Sequence, residues 1–135
     1  MFGQWKKILF IAIIAAVLYG GCNSQSILWA EGVMRKENPD FNMTPKVCYF
    51  LGDLAYMTFR YQLAADIMER NLKDFPYAAG ADNAQFRRAV CYEKLGKYAE
   101  SIQMYENFLN DHPKSKRYKS IQSKVAKLRA LHQQM

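Results

Sequence analysis

The sequence predicts an all-α fold, a short helical solenoid of about six helices behind a separate N-terminal segment. Three observations carry this. Residues 48–76 (CYFLGDLAYMTFRYQLAADIMERNLKDFP) and 91–113 (CYEKLGKYAESIQMYENFLNDHP) read as one phrase written twice, each opening with Cys-Tyr and closing with a ring-bearing residue and Pro. Pro76 set over Pro113 gives an offset of 37 residues, which pairs Leu51 with Arg88, Gly52 with Ala89, Tyr61 with Tyr98, Ala64 with Ser101, Met68 with Tyr105 and Leu72 with Leu109. A fixed period in this range marks stacked supersecondary units that bury their apolar faces on one another. Within each copy the apolar residues recur at helical spacing, and prolines and glycines fall between the stripes rather than inside them.

The N-terminal segment comes first. Lys6 and Lys7 precede an uncharged run of 14 residues, Ile8 to Gly21. As a helix it would reach only ~21 Å, against a hydrocarbon core of ~30 Å. That is short for a span and suited to a signal-peptide core. The run ends Leu18-Tyr19-Gly20-Gly21-Cys22, followed by Asn23-Ser24-Gln25-Ser26. Small residues just before a Cys, after such a core, resemble a bacterial lipoprotein signal. The resemblance implies cleavage of residues 1–21, a covalent lipid on Cys22 and no other cofactor. Tyr19 stands where that signal usually carries an aliphatic residue, and the other reading is an uncleaved anchor in which Cys22 is incidental. Both readings place the remainder outside the cytoplasm, because Lys6 and Lys7 hold the N-terminus inside.

Residues 22–44 hold a linker and a capping helix. Ile27, Ala30, Val33 and Met34 share a face between Ser26 and Glu37, and the pattern ends at Asn38-Pro39. Thr44 is placed to cap the next helix, with Pro45 at a first-turn position. Val47, Leu51, Leu54 and Ala55 form its stripe. In the second copy Asp82 takes the capping place, and Ala89, Tyr92 and Leu95 repeat the stripe. The small pairs Gly52/Ala89 and Ala64/Ser101 mark close approach of paired helices. Gly96 supplies a residue free to turn left-handed at a helix end. Phe59 stands in its place in the first copy, so that turn is expected to be built differently. Residues 115–135 form a basic amphipathic capping helix with Tyr118, Ile121, Val125, Leu128 and Leu131 on one face.

The pairing, the turn Cys91-Tyr92-Glu93-Lys94-Leu95-Gly96-Lys97-Tyr98 and the closing Pro113 resemble the tetratricopeptide repeat over residues 45–113, as two copies at 45–78 and 82–115. The resemblance implies a non-catalytic module for protein–protein contacts. It also implies that the first helix of each copy lines a groove. By position that groove holds Lys46, Tyr49, Asp53, Tyr56 and Met57, then Asn83, Phe86, Arg87, Val90, Glu93 and Lys94. Aromatics mixed with Met and Arg suit protein recognition. Equally, Tyr49, Tyr56 and Phe86 could pack against the flanking helices. One subtype clamps a peptide carboxylate with Lys and Asn on the first groove helix; Tyr49 and Asp53 hold those places here, so that clamp is absent.

Charge and chemistry narrow the function further. Residues 22–113 carry 10 basic and 12 acidic groups, whereas residues 114–135 carry seven basic groups and no acid. Lys116, Lys119, Lys127 and Arg129 lie off the apolar stripe, as a solvated face requires. The sharper reading is contact with anionic lipid or an acidic envelope partner. Nucleic acid and small-molecule substrates are not expected. Cys48 and Cys91 are either packed thiols or a disulfide, and their apolar surroundings favour packing. His112 and His132 read as solvated, and there is no G-x-S-x-G, phosphate loop or H-E-x-x-H motif. The expectation is a membrane-anchored, extracytoplasmic adaptor that binds envelope proteins and performs no chemistry. The alternatives are an obligate subunit of one membrane complex and a peptide-binding module that also touches lipid.

Overall fold

The helical stripes become seven helices in the computed structural model, which describes residues 2–19, 23–37 and 42–134. They are α1 (Phe2–Tyr19), α2 (Ser24–Gly32), α3 (Thr44–Met57), α4 (Tyr61–Asp74), α5 (Ala81–Lys94), α6 (Tyr98–Asp111) and α7 (Tyr118–Gln134). α2 runs on into one π-helical turn, Val33–Glu37. No strand occurs among the described residues. Gly20, Gly21, Cys22, Asn38 and Pro39 lie outside them, and so does any statement on cleavage or lipid at Cys22.

The period extends beyond the two copies read from the sequence. α3, α5 and α7 begin at Thr44, Ala81 and Tyr118, each 37 residues after the last. α2 with its π turn, α4 and α6 cover 24–37, 61–74 and 98–111, again 37 apart. The basic C-terminal helix is therefore a third first-helix and not merely a cap. α1 covers the corresponding place one period before α3. The small residue of the first helix recurs through all four as Ala15, Gly52, Ala89 and Ala126. At Gly52 the reason is direct: a Cβ would meet Met68 Cγ at 3.3 Å and Ile67 Cγ2 at 3.4 Å.

Two apolar clusters stack along the solenoid. The first joins Ile27, Ala30 and Met34 with Val47, Leu51, Ala55, Ala64, Ile67 and Met68, and reaches Ile13 of α1. The second joins Ala89, Val90, Ile102, Tyr105 and Phe108 with Ile121, Val125 and Leu128 of α7. Each hairpin thus completes its core on the next one, which a single repeat could not do. Leu131, expected on the apolar face of α7, remains exposed.

Four local expectations change. α3 is capped by Met43 and begins at Thr44, so Thr44 is buried in the first turn and is not the cap. α5 is capped by Gly80 at φ +96°, which places Asp82 inside the first turn, where its charge favours the helix dipole. The first inter-helix turn is not built differently. Phe59 adopts φ +62° where Gly96 has +76°, and the hydrogen bonds are the same. The amides of Thr58, Phe59 and Arg60 donate to the carbonyls of Leu54, Tyr56 and Ala55, as those of Leu95, Gly96 and Lys97 do to Cys91, Glu93 and Tyr92. Lastly, the two Cys-Tyr pairs are not equivalent, since the helix register sets Cys91 over Leu54.

Candidate functional site

The first helices α3, α5 and α7 follow one another along the solenoid, and their facing side chains define the candidate surface. Between α3 and α5, Arg87 bridges to Asp53 at 2.8 Å and lays its guanidinium 5.0 Å above the Tyr56 ring. Between α5 and α7, Lys124 reaches Glu93 at 3.3 Å and lies 5.6 Å over the Tyr105 ring. Glu93 also accepts the Tyr105 hydroxyl at 2.7 Å. Burial, and then that bond to Glu93, push the Tyr105 phenol far above its ordinary range. The face is thus a ladder of cations laid over aromatic rings and pinned by carboxylates, which pre-orders the side chains a partner would meet.

Not every residue expected on the groove reaches it. Tyr49 and Val90 are buried. The Tyr49 hydroxyl turns inward and donates to the Phe75 carbonyl at 2.8 Å, and burial pushes its phenol up to about 12. Phe86 packs edge-on against Phe108 and tilted against Tyr105, with Arg117 4.7 Å over its ring. Tyr49 and Phe86 thus pack onto α4 and α6 of their own repeats, while Tyr56 remains partly open beneath Arg87. Asp53, Asn83 and Glu93 are half-buried, and Lys46, Met57 and Lys94 are exposed. Sequence reasoning missed the α7 side of this face. Ser120, Ser123, Lys124, Lys127 and Leu131 border a recess of about 380 Å³ together with Glu93. The signal that would have found them is the period itself, carried one step past Pro113.

Elsewhere one cluster of charged groups is committed to the fold. The buried Glu31 carboxylate accepts two bonds from Arg70, at 2.9 and 2.6 Å, and one from Arg35 at 3.1 Å. Arg35 also bonds Asn71 and Asp74, and Asn71 donates to the Cys48 carbonyl at 2.8 Å. Cys48 and Cys91 are free and buried, so the packing reading holds. Desolvation pushes their thiols up to about 11 and about 12. His112 is not the solvated histidine expected. It is half-buried, stacks on Phe108 at 4.7 Å and shares a 2.9 Å hydrogen bond with Gln85. His132, Lys116, Lys119, Lys127 and Arg129 are exposed, and Arg129 pairs with Glu106.

Among the described residues no group of three or more His, Cys, Asp and Glu side chains is placed to hold a metal ion. None of their helices is long and apolar enough to cross a membrane.

The family model for the tetratricopeptide repeat matches residues 83–115, which span α5, α6 and the loop to Ser115. No curated protein matches the chain. Repeats of this family serve as protein-interaction modules. Residues 83–115 are therefore a tetratricopeptide repeat, and α3–α4 repeats that α5–α6 hairpin helix for helix.

Proposed function

We propose that the protein is a membrane-anchored adaptor of the cell envelope, which binds other proteins through its α3–α5–α7 face and performs no chemistry. The observation that supports this most is the ladder itself. Three first helices in one register present Arg87 over Tyr56 and Lys124 over Tyr105, pinned by Asp53 and Glu93, and aromatic and Arg groups are the chemistry protein interfaces favour. The Lys6-Lys7 pair, the apolar run behind it and Gly20-Gly21-Cys22 support anchoring outside the cytoplasm, by a lipid on Cys22 or by an uncleaved segment. Anchoring raises the effective concentration of the face for any partner at the same membrane. Lys116, Lys119, Lys127 and Arg129 add a cationic surface suited to anionic headgroups or an acidic partner. No cofactor is assigned.

A second reading, an obligate subunit of one membrane complex, draws on the exposed Met57, Phe59, Leu28 and Trp29, apolar groups that a neighbour would cover. Affinity recovery of the tagged, crosslinked chain from native membranes separates the two. A fixed set of partners at near-equal amounts favours the subunit, and a set that depends on Arg87 and Lys124 favours the adaptor. Recovery of the same proteins after substitution of both residues defeats the adaptor reading. Lipid labelling of the chain that persists in Cys22→Ser would defeat the lipid assignment.

A further inference from the structure

One register position closes the seams between neighbouring first helices. Arg87 closes α3–α5 onto Asp53 and Tyr56, and Lys124 closes α5–α7 onto Glu93. The residue 37 positions before Arg87 is Phe50, which faces α1. On α1 the counterparts of Asp53 and Tyr56 are Ala16 and Tyr19, so the helix offers no carboxylate. The seam stays open, and what it leaves is an apolar slot of about 300 Å³ walled by Ile14 and Leu18 on one side and Val47, Phe50 and Leu54 on the other. Among the described residues Lys46 is the one charged group that lines it.

We propose that this slot binds the hydrocarbon chain of a medium-chain fatty acid, with the carboxylate held at Lys46. Water against these apolar walls finds few polar partners, which favours its displacement by an apolar chain. The volume lies at the lower end of the ~300–1,000 Å³ range of small-molecule sites, which suits one acyl chain rather than two. Phe50, half exposed, and the exposed Lys46 set the mouth of the slot. An aliphatic tail inside thus has a cation within reach of an anionic head, and a charge-assisted bond to the carboxylate fixes its direction. The site does not rest on the adaptor reading. It requires α1 beside α3, so it belongs to the uncleaved chain with α1 folded onto the solenoid, and both cleavage at Cys22 and entry of α1 into a membrane would remove it.

The test is calorimetric titration of the full-length chain with octanoate, decanoate and laurate, each below its micelle concentration. Transfer of each methylene into the slot should tighten binding about fourfold until the slot is full. Leu18→Trp, at a side chain 64% exposed, should block laurate while leaving helical circular dichroism unchanged. Leu54→Trp repeats the block from the opposite wall. Lys46→Glu should weaken laurate by tenfold or more and leave dodecanol unaffected. Absence of laurate binding, affinity indifferent to chain length, or equal binding by both tryptophan variants would each overturn the proposal. Equal laurate affinity in Lys46→Glu would overturn the placement of the head group.

Discussion

Phe59 offers the sharpest test of how the first repeat is built. Its φ of +62° puts a bulky residue in the left-handed region, which its counterpart Gly96 occupies freely. The three amide bonds around the two turns match, so the conformation is imposed by the register of the hairpin and not chosen by the residue. A left-handed non-glycine residue costs roughly 1–2 kcal/mol, and glycine returns about 0.5–1 kcal/mol of that through its greater freedom in the unfolded chain. Phe59→Gly alone would also remove the edge contact to Tyr61, whose ring lies 6.2 Å away. Comparing Phe59→Ala with Phe59→Gly cancels that contact and isolates the backbone. Glycine should exceed alanine at position 59 by about 0.5–1 kcal/mol, and wild type should exceed Gly96→Ala by a similar amount. Urea denaturation followed at 222 nm measures both, with melting shifts of roughly 2–6 °C expected. Alanine equal to or better than glycine at position 59 would show that the turn relaxes without the left-handed residue.

Three further outcomes follow from buried groups. Glu31→Gln removes the buried carboxylate from Arg35, which keeps Asp74, and from the solvent-open Arg70, and should lower stability by about 1–2 kcal/mol in the same denaturation assay. Cys48, with a thiol pushed from 9.0 to about 11, and Cys91, raised to about 12, should react with thiol reagents at pH 8 only as fast as the chain unfolds. Because the unfolded chain loses these protons first, the contribution of the two thiols is complete below pH 9; stability should then fall as pH rises from about 9 towards 11–12, and a denaturation midpoint rising over that interval would contradict the burial. Gly52→Val pushes a Cβ and two methyls into the contact with Met68 and Ile67, and should cost about 1–3 kcal/mol, read as a lower urea midpoint.

The architecture was legible because a hairpin solenoid writes its packing into the sequence twice. Gly52/Ala89 and Ala64/Ser101 are small for a reason visible in the fold: Ala64, Ala89 and Ser101 are fully buried, and the Ser101 hydroxyl donates to the Ala89 carbonyl at 2.8 Å. The Phe59 turn was misread because a bulky left-handed residue is uncommon, and only the tertiary register compels one. The caps moved because Thr44 and Asp82 fall one and two residues past the observed caps, Met43 and Gly80. Tyr49 and Val90 occupy groove positions by count, yet helix α4 and the α5–α6 core draw them inward, and spacing alone carries no information about those neighbours. The Ile8 to Gly21 run shows a deeper limit. A short apolar stretch reads the same as a signal core and as a packed helix, and the fold uses part of it as a first helix with Ala15 in the small position.

That last point bears on how anchoring and folding coexist. α1 sends Ile13 fully and Leu9 partly into the core, while Trp5, Ile8, Ile11 and Leu18 stay exposed. The N-terminal end of the solenoid is held instead by α2 and its π turn. The wider winding over Val33–Glu37 carries Arg35, which bonds Glu31 on its own helix and Asn71 and Asp74 on α4. Arg70 ties α4 back to Glu31, and the Tyr49 hydroxyl binds α3 to the carbonyl of Phe75. These bonds join α2, α3 and α4 without any atom of α1. A hydrogen-bonded charge cluster of this kind is costly to break one partner at a time, so it fixes the end of the repeat array where apolar packing from α1 is thin. Withdrawal of α1, whether into a membrane or by cleavage, would therefore open the α3 face at Val47, Phe50 and Leu54 while leaving the α3–α5–α7 ladder in register.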